Sequence, residues 1–167
     1  MKQKNLILCG FMGCGKSTVG ALLARKTGMF FVDLDKYIEK QQQKTITRIF
    51  AEDGEETFRA MERSAAKELA ARNNIVLAAG GGTLTFPENV EVLKSSGKII
   101  LLDLPVEVVA DRLRHDTTRP LLNRPDKEQA LRELYNKRLP LYRSAADVVV
   151  NAAESPMQVC REIMELV

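Results

Sequence analysis

Tryptophan is absent from this 167-residue chain, and the aromatic residues are six Phe and three Tyr. Little is available for stacking nucleobases. The 25 basic and 22 acidic residues are scattered rather than gathered into a tail, and the net charge is only +3. Nucleic acid is therefore not expected as a partner. Cys9, Cys14 and Cys160 form an odd, widely spaced set that matches neither a disulfide framework nor a metal-ligand pattern. Three reduced thiols in a cytoplasmic protein are expected. The single histidine, His115, reads as an exposed residue at a helix end. No apolar run approaches the ~20 residues that cross a bilayer, and Leu6–Cys9 is too short for a signal-peptide core. No membrane association is expected.

What the chain does contain is ordinary for one soluble domain: 45% apolar and 28% charged residues. Five short runs, Leu6–Cys9, Phe30–Val32, Ile75–Ala79, Ile99–Leu102 and Val148–Val150, are nearly continuous in apolar residues. Continuity without alternation is the mark of parallel strands covered on both faces. Helix-period segments lie between them. Val19, Leu22 and Leu23 make one apolar stripe, and Met157, Cys160, Ile163, Met164 and Val167 make another. Pro87, Pro105 and Pro156 fit first-turn positions, and Ser155 fits an N-cap. The alternation predicts one α/β domain over residues 1–167, a three-layer α/β/α fold around a five-stranded parallel sheet. Thr117–Asp126, with Pro120, Pro125 and several Arg, reads as a mobile loop between helices.

The most specific signal is Gly10-Phe11-Met12-Gly13-Cys14-Gly15-Lys16-Ser17, which satisfies G-x-x-x-x-G-K-[ST] between a predicted strand and a predicted helix. Glycines let successive backbone N–H groups converge into an anion nest, and the helix adds its positive N-terminal end. Lys16 supplies a compact charge for β- and γ-phosphates, and the Ser17 hydroxyl is a hard oxygen for Mg²⁺. The loop therefore predicts binding of ATP with magnesium. Cys14 lies inside it near the helix N-terminus, where a thiol pKa can fall; a small residue tolerated there is the plainer reading.

Asp33-Leu34-Asp35 follows the second predicted strand. Residues two apart leave a strand on one side, so both carboxylates are expected to face the crevice beyond the strand ends. Two acids there suit the magnesium shell and a substrate hydroxyl; a helix N-cap is the competing reading. Arg59 sits on a helical segment with Glu62 at i+3 as a brace. Gly80-Gly81-Gly82 ends the third strand, suiting either a flexible turn or close approach of backbone to a ligand. Arg119 and Arg138 are each ordinary surface residues alone, but several arginines aimed at one crevice would bind carboxylate or phosphate bidentately.

In order and spacing, these segments resemble the shikimate kinase family along nearly the whole chain. The resemblance rests on Gly10–Thr18, Asp33-Leu34-Asp35, Phe58-Arg59-Ala60-Met61-Glu62, Gly80–Gly82, Arg119-Pro120-Leu121-Leu122 and Arg138-Leu139-Pro140-Leu141-Tyr142. It implies a nucleoside-monophosphate-kinase-like fold with a moving lid over about 115–126 and substrate-binding helices over about 33–62. It also implies transfer of the ATP γ-phosphoryl group to the shikimate 3-hydroxyl. Gly13, Cys14, Gly15, Lys16, Ser17 and Thr18 would bind the ATP phosphates, with Ser17 on Mg²⁺ and Asp33 reaching the ion through water. Asp35, Arg59, Gly80, Gly81, Gly82 and Arg138 would hold shikimate, Asp35 also acting as base. Arg119 would reach over the transferring phosphate from the lid, and Arg112 would contact nucleotide. A monomer is expected.

Two departures stand out. Ala79 occupies a position before the triple glycine where the family usually has Thr or Ser, and Ser155-Pro156 stands where the family commonly touches adenine. Gluconate and nucleoside monophosphate kinases of similar fold are the competing enzymes. A GTPase switch would need Asn-Lys-x-Asp, and Asn136-Lys137-Arg138-Leu139 fails its last position.

Overall fold

The computed structural model describes residues 4–116, 122 and 124–167. Five strands, β1 (Asn5–Cys9), β2 (Phe30–Asp33), β3 (Ile75–Ala78), β4 (Gly97–Asp103) and β5 (Val148–Asn151), form one sheet in the order β2-β3-β1-β4-β5, every pair parallel. All five apolar runs became strands, with ends shifted by a residue or two. The largest shift is at β4, which begins at Gly97 because Asn5 and Leu6 pair with Gly97 and Lys98. Gly97 is extended, and a Cβ there would run into the Asn5 backbone.

Every residue of β1 and β3 is buried, whereas the edge strands β2 and β5 are only partly covered. Burial on both faces requires helices above and below. α1 (Lys16–Thr27) and α8 (Pro156–Leu166) pack against each other. α4 (Glu55–Ala70) packs on α5 (Pro87–Ser96), and both α5 and α7 (Lys127–Ala145) reach β4. Right-handed crossovers account for the partition. The step from β1 out to β2 carries α1 over one face. The steps β2 to β3, β3 to β4 and β4 to β5 run the other way and carry their helices over the opposite face. The loops after β1 and β3, which are neighbours in the sheet, thus leave toward opposite sides and open a crevice at the strand ends.

Local chemistry sets the helix ends. Ser155 caps α8 in a capping box with Gln158, and Pro156 and Pro87 occupy first-turn positions as predicted. Pro105 instead caps α6 (Val106–Leu113), its carbonyl accepting from Val108 and Val109 N–H at 3.1 Å each. The predicted stripe on the last helix also needs correction. Cys160 and Ile163 are buried, but Met157, Met164 and Val167 are exposed and Val159 takes their place. Packed against α1 and the edge strand β5, α8 buries only a narrow strip, so the apolar period overstates the contact.

Candidate active site

The loop after β1 turns at glycines whose φ angles lie in the left-handed region: Gly10 at 150°, Gly13 at 79° and Gly15 at 92°. Gly10 also lacks room for a side chain, since a Cβ would stand 2.8 Å from both Cys14 Sγ and the Leu102 carbonyl oxygen. The loop opens into α1 without a side-chain cap at Gly15, leaving first-turn N–H groups for an anion. Lys16 folds over the loop, donating to the Gly10 carbonyl at 2.7 Å and the Phe11 carbonyl at 3.3 Å, with Cys14 Sγ 3.7 Å away. Cys14 itself is buried beneath the loop, as a small packing residue would be. Arg112, on the exposed side of α6, donates to the Gly13 carbonyl at 2.9 Å and so belongs to the same neighbourhood.

Asp33 is the last residue of β2 and the N-cap of α2 (Leu34–Gln42), accepting from Lys36 N–H at 3.1 Å. Its other oxygen accepts from the Ser17 hydroxyl at 2.6 Å. Asp33 is therefore a helix N-cap that also holds Ser17 and lines the cleft. The expectation that Asp33 and Asp35 share a strand face is overturned: Leu34 is already helical, and Asp35 stands in the first turn of α2. Both nonetheless line one cleft of about 720 Å³, because the helix begins at the sheet edge. Ser17 and Asp33 supply two hard oxygens beside the phosphate loop. Among the described residues, no group of three or more His, Cys, Asp or Glu side chains forms a metal cage. A sparse protein contribution fits Mg²⁺, which keeps waters and takes phosphate oxygens around one or two protein ligands.

The triple glycine is a platform for charged side chains. None of Gly80, Gly81 and Gly82 has a φ in the left-handed region, so backbone conformation does not demand glycine there. Close approach does. A Cβ on Gly80 would lie 2.8 Å from Asp35 Oδ1 and 3.1 Å from Glu62 Oε2. One on Gly81 would lie 3.1 Å from an Arg138 terminal nitrogen, and one on Gly82 would lie 2.8 Å from Arg59 Cζ. The three missing side chains are what allow Asp35, Arg138 and Arg59 to converge.

Each arginine is held from behind. Arg59, on α4, donates to Glu62 at 3.0 Å and to Glu55 at 3.4 Å, with its guanidinium 5.3 Å from the Phe58 ring centre and 5.4 Å from that of Phe86. Glu62 is fully buried, and its second oxygen accepts from the Thr83 hydroxyl at 2.9 Å. A buried carboxylate survives only with such partners. Asn89, also buried, donates to the Thr83 carbonyl at 3.0 Å. Arg138, on α7, is buried, and Tyr142 one turn later donates its hydroxyl to the Gly81 carbonyl. Burial pushes the Tyr142 phenol well above its ordinary value, against the lowering influence of Arg138. Thr83, Asn89 and the Tyr142–Gly81 bond escaped sequence reasoning, because nothing in their spacing announces which buried groups meet.

Lys16, Ser17, Thr18, Asp33, Asp35, Arg59, Gly81, Gly82 and Arg138 thus surround one cleft, whose remaining wall includes Phe50 and Phe58 at a centroid distance of 4.9 Å. Arg119 lies outside the described residues, as do residues 117–121 and 123 of the predicted lid. Ala79 also lines the cleft and offers no hydroxyl.

Comparisons with known proteins converge on one family. A family model described as shikimate kinase matches residues 12–167. A shikimate kinase of Persephonella marina is 42% identical over 97% of this chain and 98% of its own length. One from Francisella tularensis subsp. holarctica is 46% identical over 90% of this chain and 86% of its own. The structure of the Acinetobacter baumannii shikimate kinase in complex with shikimate superposes with a TM-score of 0.94 at 39% identity, covering 98% of this chain and 92% of that one. The chain belongs to the shikimate kinase family.

Proposed function

We propose that this protein transfers the γ-phosphoryl group of ATP to the 3-hydroxyl of shikimate, releasing ADP and shikimate 3-phosphate. The observation that carries the reading is the glycine platform, which brings one carboxylate and two arginines together beside a phosphate loop. An acceptor with one carboxylate and neighbouring ring hydroxyls matches that set. Arg59 and Arg138 take the carboxylate in planar, charge-assisted hydrogen bonds. Asp35 accepts the proton of the attacking hydroxyl and orients it.

On the donor side, loop N–H groups of Gly13–Thr18 and the Lys16 ammonium hold the phosphates, and Arg112 contacts the nucleotide. Mg²⁺, when bound, neutralises charge on the phosphate oxygens. Ser17 would ligate it directly, and Asp33, bonded to Ser17, would orient its water shell. Arg119 is assigned to the transferring phosphate by family resemblance, within a lid over about 115–126 whose closure would exclude water. With Ala79 in place of a hydroxyl-bearing residue, ordering of the magnesium shell would fall to Asp33, the acid bonded to Ser17. Cytoplasmic location and a monomeric state complete the reading; no helix of the described residues is long and apolar enough to cross a membrane.

The test is ADP release with ATP and Mg²⁺ in the presence of shikimate, gluconate, a nucleoside monophosphate or no acceptor. Release that requires shikimate supports the reading. Equal release without any acceptor, or preference for another acceptor, refutes it.

A further inference from the structure

We infer that the Tyr142 hydroxyl is a positioning group for acceptor recognition, locking the central peptide of the Gly80–Thr83 turn together with Arg138. The inference deepens the proposed reaction and rests on it.

Gly80 to Thr83 is a β-turn closed by Thr83 N–H donating to the Gly80 carbonyl at 3.2 Å. Gly82, its third residue, has φ −100° and ψ −6°, the values of a type I turn. The central peptide joins Gly81 to Gly82. In an ordinary turn a side chain at the third position opposes rotation of that peptide into the type II arrangement, which needs positive φ there. With glycine at both central positions this opposition is gone. Some other contact has to select the orientation, and the Gly81 carbonyl is the atom that would move. The Tyr142 hydroxyl donates to that carbonyl. Because carbonyl and N–H point opposite ways across a trans peptide, holding one aims the other.

The same hydroxyl bears on Arg138. The two residues are four apart on α7 and share a helix face. The guanidinium stands beside the phenol oxygen, and its terminal nitrogen lies 3.1 Å from the place a Gly81 Cβ would take. Tyr142 is 1% exposed, so its ring is fixed by the core and cannot follow a displaced partner. Burial keeps the phenol protonated, and so it remains a donor throughout the working pH range. One rigid hydroxyl therefore sets both the peptide and the arginine that meet the acceptor.

Tyr142→Phe keeps the ring and deletes the bond. Turnover of shikimate by the unaltered protein is measured first, and its absence would refute the proposed reaction rather than this inference. On an active background, Tyr142→Phe is expected to raise the shikimate KM by about tenfold, the effect of leaving one buried acceptor unpaired, with the ATP KM within about twofold of wild type. An unchanged shikimate KM, or equal increases in both KM values, would overturn the inference, since a purely structural loosening has no reason to spare ATP. A second measurement needs no variant: exchange of the Tyr142 hydroxyl proton with solvent, followed by NMR. Shikimate should slow it while ADP does not, because binding and positioning are reciprocal; exchange indifferent to shikimate would contradict the assignment.

Discussion

Asp35 and Gly82 show how much chemistry rests on single positions. Asp35 approaches Gly80 so closely that no side chain fits between them. As the proposed base it should be sensitive to loss of charge without loss of shape. Asp35→Asn is expected to lower kcat by about 10²–10⁴-fold, read from steady-state rates at saturating ATP; near-wild-type turnover would remove it from the role. Gly82→Ala works differently. Its Cβ would meet the Arg59 guanidinium, which is pinned by Glu62 and Glu55 and flanked by Phe58 and Phe86. Displacing a positioned arginine by a fraction of an ångström should raise the shikimate KM on the order of 10–100-fold and leave the ATP KM nearly untouched. The phosphate loop was legible at this scale because its pattern is contiguous. The anchors Thr83, Asn89 and Tyr142 were not, because they act through contacts between residues distant in the chain.

At the scale of elements, sequence patterns located all five strands, the burial of β1 and β3 and the α8 cap, and misjudged the surroundings of two segments. The stripe on α8 included Met157, Met164 and Val167, which remain exposed, because apolar period reports an available face and not its neighbour. The reasoning for Asp33 and Asp35 assumed a strand that had already ended; both residues reached the cleft because β2 passes directly into α2 there. The α8 cap is a local feature with a local cost. Ser155 accepts from Gln158 N–H at 3.3 Å while the Gln158 side chain accepts from Ser155 N–H at 3.2 Å. Ser155→Ala is expected to destabilise the protein by about 1 kcal/mol, measured by urea denaturation, with the shikimate KM unchanged since α8 lines no part of the cleft.

For the whole molecule, the buried ionisable groups set the behaviour in base. Burial pushes the Cys9 thiol up from 9.0 to about 12, and pushes Tyr142 upward as well. The unfolded chain releases these protons near their ordinary values while the native state retains them. Stability contributed by the protonated groups is therefore intact below about pH 9 and falls as pH rises toward about 12. Urea midpoints should decline steadily over that range, and Cys9→Ser should flatten the decline; a midpoint independent of pH above 9 would contradict the burial of these groups. The architecture follows the same logic of position. One crossover on one face and three on the other open a crevice beyond β1 and β3, and the phosphate loop, Asp35 and the glycine platform all border it. The central claim is that these parts work as one phosphoryl-transfer site for shikimate. The most direct measurement is the identity of the phosphorylated product, followed by phosphorus–proton correlation NMR during turnover of ATP, Mg²⁺ and shikimate. The account predicts a single new phosphate monoester coupled to the proton at carbon 3, formed in step with ADP. Inorganic phosphate as the only product, or phosphate on another hydroxyl, would contradict it.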